Sequence, residues 1–322
     1  MLLALAAFVF LQTPKISAWS VFYDGGISVA DLERHASQLN EVSCEWYVCS
    51  PSGAVLPPPD KTTALAARVV RSCRANHIPL FGMLQNPNFD PIPVEKLITD
   101  PAIRHHHVDE IVSSVVKDGL DGLDLDYELL MAGDRNNFSA FVEELAEALH
   151  ARHKRLAIAL HPKSSEPGTW DGTIAQDWKR IGKVADLVRP MCYDEHWETS
   201  EAGPLADPAW VKTIMEFALT VVPPEKLELG IPSYGYDWIG KKGTDLTYDQ
   251  FMALPGAAKA PRDPISSELV LKFGRNVVYF CDGPAEAPKA ALAAELGVRG
   301  LCMWRLGAED PKFWPLLSLR SR

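Results

Sequence analysis

Residues 118–130 read DGLDGLDLDYELL, a stretch that interleaves acids with large apolar residues. Asp124, Asp126 and Glu128 occupy every second position, with Leu123, Leu125 and Tyr127 between them. On an extended chain alternate residues share a face, about 6.6 Å apart at ~3.3 Å per residue. Three carboxyls are thus set in a row on one side of a strand, with an apolar set on the other. Carboxylates this close disfavour one another's ionisation, so one of them can hold a proton at neutral pH and act as a general acid. Glu128, last in the row, is the candidate acid, with Asp126 as the neighbour that raises its pKa. Two carboxyls on one strand do not flank a scissile bond from two sides as an ordinary retaining pair does. The nucleophile must come from elsewhere. A calcium loop would need glycine where Leu129 stands, and a solvated acidic face would not alternate so strictly.

Something must hold this strand. Eight short apolar or aromatic runs recur along the chain, at 15–24, 41–49, 78–86, 119–128, 155–162, 185–194, 227–236 and 298–307. Amphipathic segments lie between them. Residues 134–150 keep Phe138, Phe141, Val142, Leu145 and Leu149 at helical spacing, with Asp134 as an N-cap. Residues 207–222 open with Asp-Pro, and 60–76 start at Asp60. Eight βα alternations in about 300 residues predict a (β/α)8 TIM barrel. The rival, a doubly wound sheet, lacks a GxGxxG after its first strand. The seventh and eighth strands are widely separated, so an insertion within about 239–285 is expected, containing a strand at 276–282 and followed by a helix at 286–296. Residues 15–322 then form one catalytic domain. In such a barrel the leucines of the acidic strand meet the outer helices, the carboxylates face the interior, and Glu128 reaches the mouth.

At this point the motifs carry a resemblance. DGLDLDYE (121–128) resembles the DxxDxDxE signature of glycoside hydrolase family 18, the chitinase-like barrels. MCYD (191–194) is similar to that family's sixth-strand motif, and GIPSYGYDW (230–238) and MWRLGAED (303–310) to its seventh and eighth strands. The flavour is that of the bacterial branch containing spore-cortex and peptidoglycan N-acetylglucosaminidases. The resemblance implies substrate-assisted cleavage with retention at β-linked N-acetylglucosamine, in which the substrate's own N-acetyl oxygen attacks. It makes Glu128 the acid, gives Asp126 the acetamido N–H, and has Asp124 share a proton or hydrogen bond with Asp126. Tyr193 would donate to the acetamido oxygen, Trp304 would floor the sugar pocket, and Met191, Asp194, Tyr234 and Asn86 would line it. Strand alternation points Asp194 away from Tyr193. His161 could contact sugar or satisfy a backbone group. Two departures, the third strand FGMLQN (81–86) and Tyr236 where the family often has Arg, argue against crystalline chitin.

Composition bounds the alternatives. A net charge of -10 over 322 residues argues against a nucleic-acid partner, which needs a basic surface. The apolar run Leu2 to Leu11 is too short to span a bilayer and resembles the h-region of a secretory signal, so residues 1–14 are expected to direct export. Cys44, Cys49, Cys192 and Cys302 fall in or beside strand-like runs and read as buried free thiols. Three consecutive histidines, 105–107, do not share a helix face and read as a surface cluster rather than a metal site. No metal or cofactor is expected. The competing functions are a non-catalytic chitinase-like protein that binds carbohydrate, which the intact Glu128 opposes, and a metal-dependent hydrolase, which a chelator would inactivate.

Overall fold

The computed structural model describes residues 14–318. The expected export segment therefore lies outside the described residues, Pro14 excepted. Among those described, no helix is long and apolar enough to cross a membrane.

The strands follow in chain order as β1 (Lys15–Ser20), β2 (Glu41–Cys49), β3 (Val55–Leu56), β4 (Leu80–Gln85), β5 (Gly122–Asp126), β6 (Arg155–Leu160), β7 (Leu187–Pro190) and β8 (Glu228–Pro232). After them come β9 (Gly235–Ile239), β10 (Lys242–Leu246), β11 (Leu269–Phe273), β12 (Asn276–Phe280) and β13 (Gly300–Trp304). Eight of these pair in parallel in the order β7-β6-β5-β4-β2-β1-β13-β8. Parallel bridges from Val188 to Leu227 and from Met191 to Gly230 close the ring. Glycine is needed at that seam, because a Cβ on Gly230 would lie 2.5 Å from the carbonyl oxygen of Pro190. The expected (β/α)8 barrel is the observed fold. The short β3 is a hairpin partner of β2 outside the ring.

Helices wrap the barrel where periodicity placed them. Arg135–His150 buries Phe138, Phe141, Val142, Leu145 and Leu149, and Leu123, Leu125 and Tyr127 of the acidic strand join the same apolar layer. Asp134 does not cap that helix; its Oδ2 accepts the N–H of Met131 at 3.2 Å and closes the preceding turn. Pro208–Val221 starts as expected, with Asp207 accepting from Ala209 at 2.8 Å. Thr63–Ala75 starts three residues after Asp60, and Thr62 supplies the cap.

The insertion is an antiparallel sheet in the order β10-β9-β12-β11. It begins at Gly235, four residues before the expected 239, because the chain leaves β8 through Ser233 and Tyr234 and re-enters extended structure at once. The helix Gly283–Glu295 then leads into β13. All six cysteines are free and buried. The three histidines part company: His105 pairs with Glu144 at 2.8 Å, and His107, expected at the surface, is fully buried. Its ring bridges the Tyr127 hydroxyl (2.8 Å) and the carbonyl oxygen of Gly53 (2.9 Å), which fastens the outer face of the acidic strand to a helix.

Candidate active site

The acidic row sits as its alternation requires. Asp124 and Asp126 are buried inside the barrel, and Glu128 stands two residues past the end of β5 with a side chain 21% exposed at the mouth. A buried carboxylate is costly unless paired or hydrogen-bonded. Asp124 is both: Trp19 Nε1 donates to its Oδ2 at 2.8 Å and Arg189 Nη1 at 2.5 Å. Asp126 has less. Parallel register sets Gln85 of β4 beside it, and Gln85 Nε2 donates to Oδ2 at 3.0 Å. Burial, with the charge of Asp124 adding and the Gln85 bond opposing, pushes the Asp126 carboxyl up to about 7. Burial again, then the charges of Asp126 and Asp194, raises Glu128 well above the usual carboxyl range. These influences favour the protonated acid at Glu128, at the rim, next to an Asp poised to gain or lose a proton.

The raised carboxyl of Asp126 has a consequence for stability. Because the folded state binds this proton more tightly than the unfolded chain, its contribution is fully present below the ordinary carboxyl range near pH 4. It is lost as pH rises through about 7. Within that window each pH unit costs up to about 1.4 kcal/mol. Asp126→Asn removes this slope and is expected to be more stable than the parent at pH 8, as measured by denaturant midpoints across the range. An unchanged slope would show that the carboxyl does not titrate there.

The main chain of Glu128 is held from both neighbouring strands. Asn86 accepts the Glu128 N–H at 2.9 Å and donates to the carbonyl oxygens of Glu128 and Asp90, each at 3.1 Å. Expected at the sugar, Asn86 instead spends its amide on backbone and acts as a clamp. His161, at the end of β6, accepts the N–H of Leu129 at 3.2 Å through Nε2, and Leu129 takes a left-handed φ of 55° to offer it. Burial drives the imidazole down to about 4, so the ring is neutral, and the same Nε2 lies 3.6 Å from Glu128 Oε2.

Tyr193, Met191 and Tyr234 are buried beside one another, with Tyr193 edge-on to Tyr234 at 6.3 Å. Burial, then the charges of Asp126, Glu128 and Asp194, raises the Tyr193 hydroxyl well above its ordinary value. Asp194 corrects the alternation argument. The strand ends at Pro190, Asp194 adopts a φ of 60°, and its carboxyl turns into the site, where Tyr234 donates to Oδ1. Burial lifts Asp194 to about 6, against hydrogen bonds from Tyr234 and Tyr236. Trp304 closes β13 edge-on to Trp19 at 5.9 Å. Asp194, Tyr234 and Trp304, together with Tyr23, Tyr236 and Arg305, line a cleft of about 440 Å³ walled on one side by the insertion.

The sequence reading missed what stands beneath the row. Arg189 is fully buried, and besides Asp124 it donates to Ser43 Oγ (2.6 Å) and, through Nε, to Glu228 Oε2 (2.8 Å). Glu228 pairs in turn with Arg299, Arg299 with Glu41 at 2.7 Å, and Glu41 with Arg155 at 2.5 Å. Barrel interiors usually hold branched apolar side chains; here an alternating chain of six charges runs from Asp124 down to the barrel floor. A lone Arg two positions before Met191, in the otherwise apolar run LVRPM, was the available signal.

A carboxyl at the rim that favours its protonated form, a second buried carboxyl two positions before it, and a cleft lined by tyrosines and an indole fit hydrolysis of a glycosidic bond, and comparison with known proteins points the same way. The chain is 25% identical over 333 residues, 97% of this chain and 95% of the other, to an uncharacterized glycosylase, YvbX, of Bacillus subtilis (strain 168). It is 26% identical over 250 residues to the cortical fragment-lytic enzyme of the same organism, matching 73% of this chain and 58% of that protein. The crystal structure of a chitinase from Chromobacterium violaceum ATCC 12472 superposes with a TM-score of 0.87 at 27% identity, covering 95% of this chain and 98% of that one. The model for glycosyl hydrolases family 18 matches residues 94–309, a stretch that carries the acidic strand, Tyr193, Tyr234 and Trp304, and the chain belongs to that family of glycosidases.

Proposed function

We propose that this glycosidase cleaves β-linked N-acetylglucosamine in oligosaccharides with retention, using the substrate's acetamido oxygen as the nucleophile. The observation that carries the reading is a pair of buried oxygens. Oδ1 of Asp124 and Oδ1 of Asp126 have no hydrogen-bond partner among the described residues, while both Oδ2 atoms are occupied. A buried acceptor left without a donor costs about 1–3 kcal/mol. One shared proton satisfies the pair at rest, and an acetamido N–H satisfies Asp126 when substrate is bound. Glu128 protonates the glycosidic oxygen as the acetamido oxygen closes on the anomeric carbon. Asp126 holds the N–H and balances the positive charge that develops on the ring so formed, while Tyr193 donates to the attacking oxygen. Glu128, now ionised, then takes a proton from the water that opens the ring.

Asp194 is the nearest alternative nucleophile, and its orientation into the site makes the question sharp. A substrate lacking the acetyl group loses the nucleophile, whereas one lost hydrogen bond is worth roughly 0.5–1.5 kcal/mol, about tenfold at most. De-acetylated oligosaccharide should therefore be cleaved far more than tenfold more slowly than its acetylated parent. Rates within tenfold, or a fluorosugar trapped as an ester on Asp194, would refute substrate assistance. Product analysis on chitin oligosaccharides beside peptidoglycan fragments distinguishes the two substrate classes. The likeness to a cortical fragment-lytic enzyme favours the second class.

A further inference from the structure

The first helix of the barrel, Ile27–His35, and the segment after its last strand bring together three side chains able to ligate a metal, outside the acidic row. Asp31 and His35 stand four residues apart and share one face of the helix. Glu309 follows β13. One ligand atom from each lies within 4.8 Å of the other two. Asp31 is 4% exposed. Its Oδ1 accepts from Arg34 Nη1 at 2.9 Å, and Glu309 Oε1 accepts from Trp314 Nε1 at 2.8 Å. The two remaining oxygens, Asp31 Oδ2 and Glu309 Oε2, are buried with no donor among the described residues, and the two carboxyls lie within hydrogen-bonding reach of each other. Buried acceptors set against one another are costly. Something positive must lie between them, either a proton or a metal ion.

The histidine favours the ion. A shared proton needs only the two carboxyls and gives no account of an imidazole held at the same point. His35 Nε2 lies 3.7 Å from Asp31 Oδ1. The ring is stacked on the buried Trp314, centroids 4.3 Å apart at 8°, so one indole orients two of the three ligands. The other ring nitrogen, Nδ1, lies 3.1 Å from the Gln38 amide. With that amide turned over, its oxygen accepts the Nδ1 proton and leaves the Nε2 lone pair for a metal, the outer partner that ligating histidines regularly have. Bonds of ~2.0–2.2 Å set tetrahedral ligands about 3.4 Å apart, a closure within reach of side-chain rotation. We propose that Asp31, His35 and Glu309 bind one divalent first-row ion, with Zn²⁺ best suited to an imidazole and two carboxylates, and that water enters past the 16% exposed side chain of His35 to complete the shell. The ion would tie the first helix to the segment after β13, the strand that pairs with β1, and so fasten the two ends of the barrel chain together.

The test is titration calorimetry of the untagged, chelator-treated full chain with ZnCl₂, beside His35→Gln and Glu309→Gln. The parent should take up one equivalent and melt at a higher temperature with Zn²⁺ present, because an ion bound only by the folded state stabilises it. Each variant removes a ligand, so its affinity should fall by at least about tenfold, the loss that even an outer partner of a ligand causes. Glu309→Gln also offers an amide N–H to Asp31 Oδ2, so without metal it should melt no lower than the parent, and its lost uptake cannot then be laid to misfolding. No uptake by the parent at millimolar Zn²⁺ overturns the site and leaves a shared proton between the carboxyls. Uptake that both variants retain places the ion on other side chains and overturns it equally.

Discussion

Glu128→Gln should hydrolyse N-acetylglucosamine oligosaccharides about 10²–10⁴-fold more slowly than the parent while still binding them, the range expected when a positioned general acid is removed. The amide keeps the shape of the side chain and its access to His161, and the backbone clamp from Asn86 and His161 does not involve the carboxyl at all. The loss should therefore appear in kcat rather than in affinity or in the unfolding curve. Substrates with very good leaving groups should lose less, because they need little protonation. The alkaline limb of the parent's pH profile should report the acid's deprotonation, displaced upward by burial and by Asp126 and Asp194. Glu128→Gln acting at near-parental rates would refute the assignment of the acid, whatever the fold.

The second large effect is on stability. Arg189→Met should destabilise the protein by about 3–5 kcal/mol, the cost of leaving buried charges without their partner. Met occupies much of the same volume, so the loss is electrostatic: Asp124 keeps only Trp19, and Glu228 keeps Ser17 and Arg299. Adding Asp124→Asn to Arg189→Met should restore a substantial part, since the uncompensated anion is then gone. Urea denaturation of the parent, the single variant and the double variant reads this directly. A single variant within 1 kcal/mol of the parent would mean that the pairing contributes little. A double variant no better than the single would place the loss in packing.

Much of this site was legible in advance, for a definite reason. Where one strand carries the whole pattern, as in Asp124, Asp126 and Glu128, alternation alone gives the face, and the leucines opposite confirm it by burying against helices. Tyr193, Tyr234 and Trp304 came instead from the resemblance of MCYD, GIPSYGYDW and MWRLGAED; the structure packs Tyr193 edge-on to Tyr234 and sets Tyr234 and Trp304 in one cleft. Asp194 was misdirected because alternation was carried past Pro190, where the strand ends and φ turns positive. Asn86 was given to substrate because nothing local shows that its amide reaches Glu128, 42 residues on. Arg189 was invisible as a partner of Asp124 because two strands that are not neighbours meet across the barrel interior. Such contacts depend on closure of the ring rather than on any local spacing.

The charged column inside the barrel also bears on how the chain comes together. Its members divide unequally along the sequence. Glu41 and Asp124 come from the first half of the ring, and Arg155, Arg189, Glu228 and Arg299 from the second. Until the halves meet, the first carries two unanswered negative charges and the second two unanswered positive ones. Neither half can bury its inner face alone, and two copies of the same half would repel where they must pack. Every charge in the column is answered only when one half meets the other, so the buried ion pairs favour the heterologous pairing of halves over duplication of either.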